Sequence, residues 1–384
     1  MLISSETSEV LEKSVAERRE TYCSGLFLSA RWFVISQICK SGLQVIVLPD
    51  KDSAEYCAAD LYNLVEGDNV FFLPDSGKNV ERSNYKSSLA VQRTAAVGSI
   101  IADKDNAELL YIVTYPEALE EMIPDKTRIS GALLTLKKDQ TISFDEIVNR
   151  LTSNNFCRVD FVSAPGQFAI RGSIIDIFSY SFNNPYRISF FGNEIEKINV
   201  FDCNTQLSKE EKDSADIFPD IIADDENGTS DIMVSDIFPS DAVVWLGSFD
   251  VFKERSFYEG LSRFRRVYID TPLSCTNVDP IKFNIAPQPV FNKNFELLTE
   301  DIRSRLERGY RVCIFAEKES QADRLKSVLY QNEGVMPEFI AGKNIHRGFI
   351  DNENKICCYT DHEIFDRFHR VTIRRSVEKS EQLI

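Results

Sequence analysis

Between Phe156 and Asp202 the chain reads FCRVDFVSAPGQFAIRGSIIDIFSYSFNNPYRISFFGNEIEKINVFD. Short apolar runs broken by turn residues leave this stretch little choice but a β-meander. Pro165-Gly166 fits a type II turn, Asn183-Asn184-Pro185 a turn entering a strand, and Gly192-Asn193 a tight hairpin. The expected strands run over 157–163, 167–179, 186–191 and 194–201.

Side chains alternate faces along a strand. Val159 and Phe161 therefore oppose Arg158 and Asp160, Phe168 and Ile170 oppose Ala169 and Arg171, and Tyr186, Ile188 and Phe190 oppose Arg187, Ser189 and Phe191. A regular register would gather Arg158, Arg171 and Arg187 on one surface. Guanidinium forks there could take a partner's carboxylates bidentately, or pair locally with Asp160, Asp176 and Glu194. The segment reads as a docking module rather than an active site.

A chain of 384 residues has room for two to four domains with ordinary cores. Its nine cysteines include no C-x-x-C pair, so neither a zinc site nor a disulfide framework is suggested, and a reducing cytoplasm is the expected compartment. No signal peptide or apolar run of spanning length is read, so no membrane partner is expected. A net charge of −16 disfavours broad contact with a phosphate backbone, which relies on clustered Lys and Arg.

The first 130 residues read as an α/β unit: strands over 43–48, 70–73 and 109–114, with helices over 53–65 and 85–102. That alternation predicts a mostly parallel sheet. In such sheets a nucleotide-binding loop, G-x-x-x-x-G-K-[ST], follows the first strand. The stretch in that place is Gly25-Leu-Phe-Leu-Ser-Ala-Arg-Trp32, with Leu28, Ser29, Ala30, Arg31 and Trp32 where the cradle, the phosphate lysine and the magnesium ligand would stand.

Residues 209–231 form an acidic run expected to be a solvated loop. Residues 231–238 and 242–246 return to an α/β pattern, with Trp245 in the core. After a connector holding Pro287 and Pro289 come a helix over 294–308, a strand over 311–315 and a helix over 320–329, a small α/β domain without a glycine fingerprint. His346, His362 and His369 lack metal-like spacing, and no Ser/His/Asp or Cys/His set can be assembled, so the chain reads as non-catalytic with no metal site.

The segments FCRVD, PGQF, RGSIIDIF, YRISFF and FGNEIE resemble the second domain of the bacterial transcription-repair coupling factors (Mfd), a domain related to one in the excinuclease protein UvrB. GLFLSAR at Gly25 and LAVQRT at Leu89 extend the resemblance. A functioning UvrB needs an intact nucleotide loop, whereas the coupling factors carry a decayed one, which favours the latter.

The resemblance implies an α/β multidomain chain: a UvrB-like module, in which a β-rich domain is inserted into a degenerate P-loop NTPase-like domain, followed by a small α/β domain. Residues 1–130 would begin the NTPase-like domain and 208–288 continue it. The β-rich domain at 131–207 would bind UvrA, 289–365 would be the small third domain, and 366–384 a basic linker. The implied UvrA contacts are Arg158, Arg171, Arg187 and Phe190, and the implied degenerate loop residues are Gly25, Ser29, Ala30 and Arg31. Ala169 and Ser189 depart from the UvrB pattern, which has an arginine and a carboxylate there. Further implications are that this is the N-terminal part of a longer DNA translocase and that ATP and magnesium act only in motor domains beyond it. RNA polymerase and DNA would then be partners of that further part. The alternative is a nucleotide-dependent, UvrB-like or helicase-like repair enzyme.

Overall fold

The computed structural model describes residues 6–65, 69–77, 83–102, 108–180, 184–203, 205–221, 231–247, 252, 255–269, 279–331 and 336–367. The chain divides into two compact units: Met1–Val70, Asn106–Pro116 and Pro239–Ile373 form the first, and Phe71–Asp105, Glu117–Phe238 and Arg374–Ile384 the second.

The first unit is built on strands β1 (Glu20–Ser24), β2 (Gly42–Val47), β4 (Leu109–Thr114), β15 (Val243–Leu246), β16 (Arg265–Tyr268) and β17 (Ile281–Lys282), while β3 (Val70–Phe72) straddles the division. Those of the first unit lie in the order β17-β1-β16-β15-β2-β4. The pairs β1–β16, β1–β17, β15–β16, β15–β2 and β2–β4 are all parallel, as the strand-helix alternation predicts. The sequences LQVIV and VVWL are buried along their whole length, which is what a sheet covered on both faces demands. Trp245 is fully buried, and its indole N–H donates to Gln44 Oε1 at 3.0 Å. Helices α1 (Glu6–Glu17), α2 (Ala30–Ile38) and α3 (Lys51–Leu64) belong to this unit. The Asp50 carboxylate caps α3 by accepting the Ser53 N–H at 2.8 Å, and Ala54, Cys57, Ala58 and Leu61 form its buried stripe.

A second sheet in the same unit has the order β18-β21-β22-β19-β20, from β18 (Ile285–Pro287), β19 (Arg311–Ala316), β20 (Glu338–Ala341), β21 (Phe349–Asp351) and β22 (Ile356–Thr360). The helices Phe295–Glu307 and Glu319–Gln331 supply Leu298, Ile302, Leu325 and Leu329 to its core. Asn294 caps the first of them by accepting the Leu297 N–H at 3.0 Å.

The second unit holds α4 (Ser83–Ala102), α5 (Pro116–Glu120), α6 (Lys126–Ala132) and α7 (Phe144–Ser153). Arg93, from the LAVQRT run in α4, is buried and donates to the carbonyls of Pro74 and Ala118 at 2.7 and 3.2 Å. Strands β5 (Met122–Pro124) and β14 (Asp231–Met233) form one two-stranded ribbon; β6 (Leu134–Lys137) and β13 (Ser214–Ile217) form another.

The meander is a six-stranded sheet, β12-β11-β10-β9-β8-β7, from β7 (Cys157–Arg158), β8 (Gln167–Arg171), β9 (Ile174–Ile177), β10 (Tyr186–Phe191), β11 (Glu194–Phe201) and β12 (Ser208–Lys212). Its inner face packs Phe168, Ile175, Ile177, Ile188, Ile195 and Ile198 against Ile147 and Leu151 of α7 and Leu134 and Leu136 of β6.

Three sequence expectations are corrected. The single strand over 167–179 is two strands, because Gly172 takes φ +61 and reverses the chain with Ser173. The first strand stops at Arg158 instead of reaching 163. The acidic run contains β12 and β13, paired with β11 and β6, so its start is sheet rather than solvated loop; residues 222–230 lie outside the described residues. So do Asn183, His369 and most of 366–384. Among the described residues no helix is long and apolar enough to cross a membrane.

Candidate docking surface and the loop after the first strand

The outer face of the meander is organised by Asp176. In the antiparallel register Ala169 and Arg187 are its two cross-strand neighbours, so all three side chains share one face. The Asp176 side chain is 1% exposed and receives both arginines. Arg187 grips it bidentately, Nε to Oδ1 at 2.8 Å and a terminal nitrogen to Oδ2 at 3.0 Å, while Arg171 pairs with Oδ2. Arg187 also donates to the Gln206 backbone and side-chain oxygens at 3.2 and 3.1 Å, and lies 4.1 Å from the Phe201 ring centroid. It is a clamped side chain, 18% exposed, whereas the Arg171 side chain is 38% exposed and lies over Phe161.

Two guanidiniums thus share one carboxylate at this clamp. Around it stand exposed apolar side chains: Phe161 (62%), Phe191 (80%) and Leu207 (68%). The burial pattern of β10 alternates from Tyr186 to Phe191, which puts Phe191 on the side of Arg187 and Ser189. A half-open guanidinium among exposed aromatics suits a partner surface that offers carboxylates and apolar groups.

Two of the candidate contacts stand elsewhere. Phe190 is 5% exposed and packs edge-on against Phe144 of α7 at 5.5 Å, so it belongs to the core and not to the arginine face. Arg158 pairs in register with Phe168, a residue of the α7-side core, so it lies on the opposite face from Arg171 and Arg187; it is exposed at the sheet edge. Alternation itself holds, since Val159 packs with Val162, Ala169 and Phe201 on the arginine side; the pairing of β7 with β8 sets Arg158 beside Phe168 instead of Ala169 and so puts it on the other face. Ala169 is 1% exposed beneath that face, so the arginine of the UvrB pattern is replaced here by a small packed side chain.

The loop after β1 is tightly built. Gly25 has φ +71, and a Cβ there would lie 2.3 Å from the Phe283 carbonyl oxygen, so only glycine fits. Leu28 holds a left-handed φ of 56, the conformation that glycine serves best. Ala30 is buried, and Arg31 folds back, its Nε donating to the Leu28 carbonyl at 3.0 Å and its guanidinium 4.6 Å from the Trp32 ring. Ser29 stands at the cap of α2 but makes no side-chain cap. Its hydroxyl donates to Asp60 Oδ2 at 2.6 Å and accepts the Arg347 N–H at 3.0 Å. Asp60 is fully buried, and burial pushes its carboxyl up to about 7 against the pull of Ser29, the His346 N–H and Arg31. Among the described residues no group of three or more His, Cys, Asp or Glu could hold a metal ion.

Sequence reasoning misses Asp60 and Gln206. Asp60 adjoins the apolar stripe of α3 like any helix carboxylate, and Gln206 is placed by a backbone φ of 60 that alternation cannot predict.

A UvrB interaction domain is present in this chain: its family model matches residues 134–221, the α7-backed meander and its flanking ribbon. The chain is similar to transcription-repair-coupling factors of several bacteria. That of Bacillus subtilis (strain 168) is 29% identical over 204 residues, which cover 52% of this chain and 17% of that protein. That of Mycobacterium tuberculosis (strain CDC 1551 / Oshkosh) is 30% identical over 191 residues, 48% of this chain and 15% of that protein. In Escherichia coli (strain K12) the figure is 35% over 91 residues, 24% of this chain and 8% of that protein. The matched stretch thus spans less than a fifth of each of these relatives.

Proposed function

We propose that this chain is the N-terminal region of a transcription-repair coupling factor, and that it docks UvrA through the outer face of the meander. The observation that carries the reading is the coincidence of a UvrB interaction domain with a face on which Arg171 and Arg187 share Asp176 and Arg171 stays partly exposed. Arg171 is the reaching contact, Arg187 the fixed one, and Phe161 and Phe191 the apolar rim. Docking would deliver the excision-repair machinery to a stalled RNA polymerase, with polymerase and DNA engaged by parts of the protein beyond this chain.

In this reading the chain itself is a cytoplasmic, non-catalytic module. The loop over residues 25–32 is a decayed nucleotide loop: Leu28 and Ala30 stand where amides would approach a phosphate, and Arg31 is turned back onto the Leu28 carbonyl. ATP and magnesium would serve only motor domains elsewhere. Titration of purified UvrA into this chain without nucleotide tests the docking, with a saturable complex expected and no heat or mass change contradicting it. A UvrB-like or helicase-like enzyme would instead require the loop to bind nucleotide.

A further inference from the structure

We propose that the β1–α2 loop and the neighbouring face of α3 form a receptor for the chain's own segment 344–348, with Ser29 of the loop and Asp60 of α3 as the groups that bind its backbone. The inference is independent of UvrA docking and concerns only the first unit.

The segment joins β20 to β21 and has no strand partner for its amides. The four N–H groups of residues 345–348 are nevertheless each taken by a side-chain oxygen. Ile345 N–H donates to Asn344 Oδ1 at 2.9 Å, His346 N–H to Asp60 Oδ1 at 2.6 Å, Arg347 N–H to Ser29 Oγ at 3.0 Å, and Gly348 N–H to Glu363 Oε2 at 2.6 Å. Buried amides demand such partners, and two of these four come from the β1–α3 region.

The receptor side is a single helical face. Tyr56, Asp60 and Asn63 follow one another at spacings of four and three on α3, so they point the same way. The Tyr56 ring stacks on the His346 imidazole at 3.5 Å, and Asn63 Nδ2 donates to the Asn344 carbonyl at 2.7 Å. Ser29 Oγ–H completes the relay by donating to Asp60 Oδ2. Beside this, Phe33 of α2 packs edge-on against Phe315 and Phe349 at 6.0 and 5.2 Å. The segment is also held by the short helix Asp361–Ile364 that follows β22: Arg347 Nε pairs with Glu363 Oε1 at 2.9 Å, and His362 Nε2 donates to the His346 carbonyl at 3.0 Å.

A strand-loop-helix turn ordinarily spends its helix N-terminus and cap hydroxyl on an anion or on the helix's own amides. Here the Ser29 hydroxyl does neither. It is committed to the 344–348 segment, which ties the five-stranded sheet to the parallel one. The charged and titratable neighbours of Asp60 are Arg31, Cys57, His346 and the Arg347–Glu363 pair; burial holds the Cys57 thiol well above its ordinary value.

Backbone hydrogen exchange of the full chain tests this. Ser29→Ala and Asp60→Ala should each speed exchange at residues 345–348 by about tenfold, since a buried amide left without its acceptor carries a penalty of that order. Exchange in β2 and β15 should stay at the wild-type rate. Asp60→Asn, which keeps an acceptor for the His346 N–H, should fall between. Wild-type exchange at 345–348 in both alanine variants would overturn the proposal, as would an equal rise in β2 and β15. Should Asp60→Ala not fold, Ser29→Ala and Asn63→Ala decide by the same criteria.

Discussion

Arg187→Ala is expected to destabilise the six-stranded sheet by about 3 kcal/mol, apart from any effect on a partner. The substitution removes two donors from Asp176, at 2.8 and 3.0 Å, two from Gln206, and the contact over Phe201. It leaves a carboxylate that is 1% exposed with Arg171 as its remaining ionic partner. Breaking a buried ion pair costs about 3–5 kcal/mol, and the low end applies because Arg171 stays and the Arg187 side chain is 18% exposed. The assay exploits the two tryptophans, Trp32 and Trp245, which both lie in the first unit. In urea the far-UV circular dichroism should show an earlier transition, while tryptophan fluorescence keeps its wild-type midpoint. A fluorescence midpoint that moves in step, or a dichroism curve that does not move, would refute the role given to the Asp176 clamp.

Adjacent phenylalanines separate core from surface. Phe190→Ala should cost about 3–5 kcal/mol in the same dichroism assay, while Phe191→Ala should stay within about 0.5 kcal/mol yet weaken UvrA binding. Asp60 sets a pH dependence: its folded value of about 7 lies above the ordinary 3.8, so the fold binds more protons than the unfolded chain between these values. Stability of the first unit should therefore fall as pH rises from about 4 to 7 and level off above, by at most about 4 kcal/mol, and Asp60→Asn should flatten the fluorescence midpoint over that window. ATP with magnesium should leave the melting temperature of the chain unchanged, because a loop that binds nucleotide would raise it.

Much of this architecture is legible in the sequence because its signals are local. Continuous apolar runs such as LQVIVL and AVVWL mark strands covered on both faces, and the helix read over 53–65 is α3. The arginine face is legible in part: parity places Arg171 and Arg187 together, and the register through Asp176 joins them. Arg158 is misplaced because alternation orders the faces within one strand but not which face of β7 joins which face of β8, and the register sets Arg158 beside Phe168. Gly172 sits inside a strand-like run of residues although its left-handed backbone turns the chain. The partnership of Ser29 with Arg347 is out of reach, since residues more than 300 positions apart meet only through packing that no periodicity records.

The most direct test of docking is a calorimetric titration of UvrA into this chain without nucleotide, repeated with Arg171→Ala. Arg171 is the suitable target because its side chain is 38% exposed and Asp176 keeps the Arg187 clamp when it is removed. The account predicts a saturable complex whose affinity falls about tenfold or more in the variant, the loss expected when a charge-assisted contact is truncated at an interface. Absence of binding, or affinity unchanged by Arg171→Ala and by Phe191→Ala alike, would contradict it.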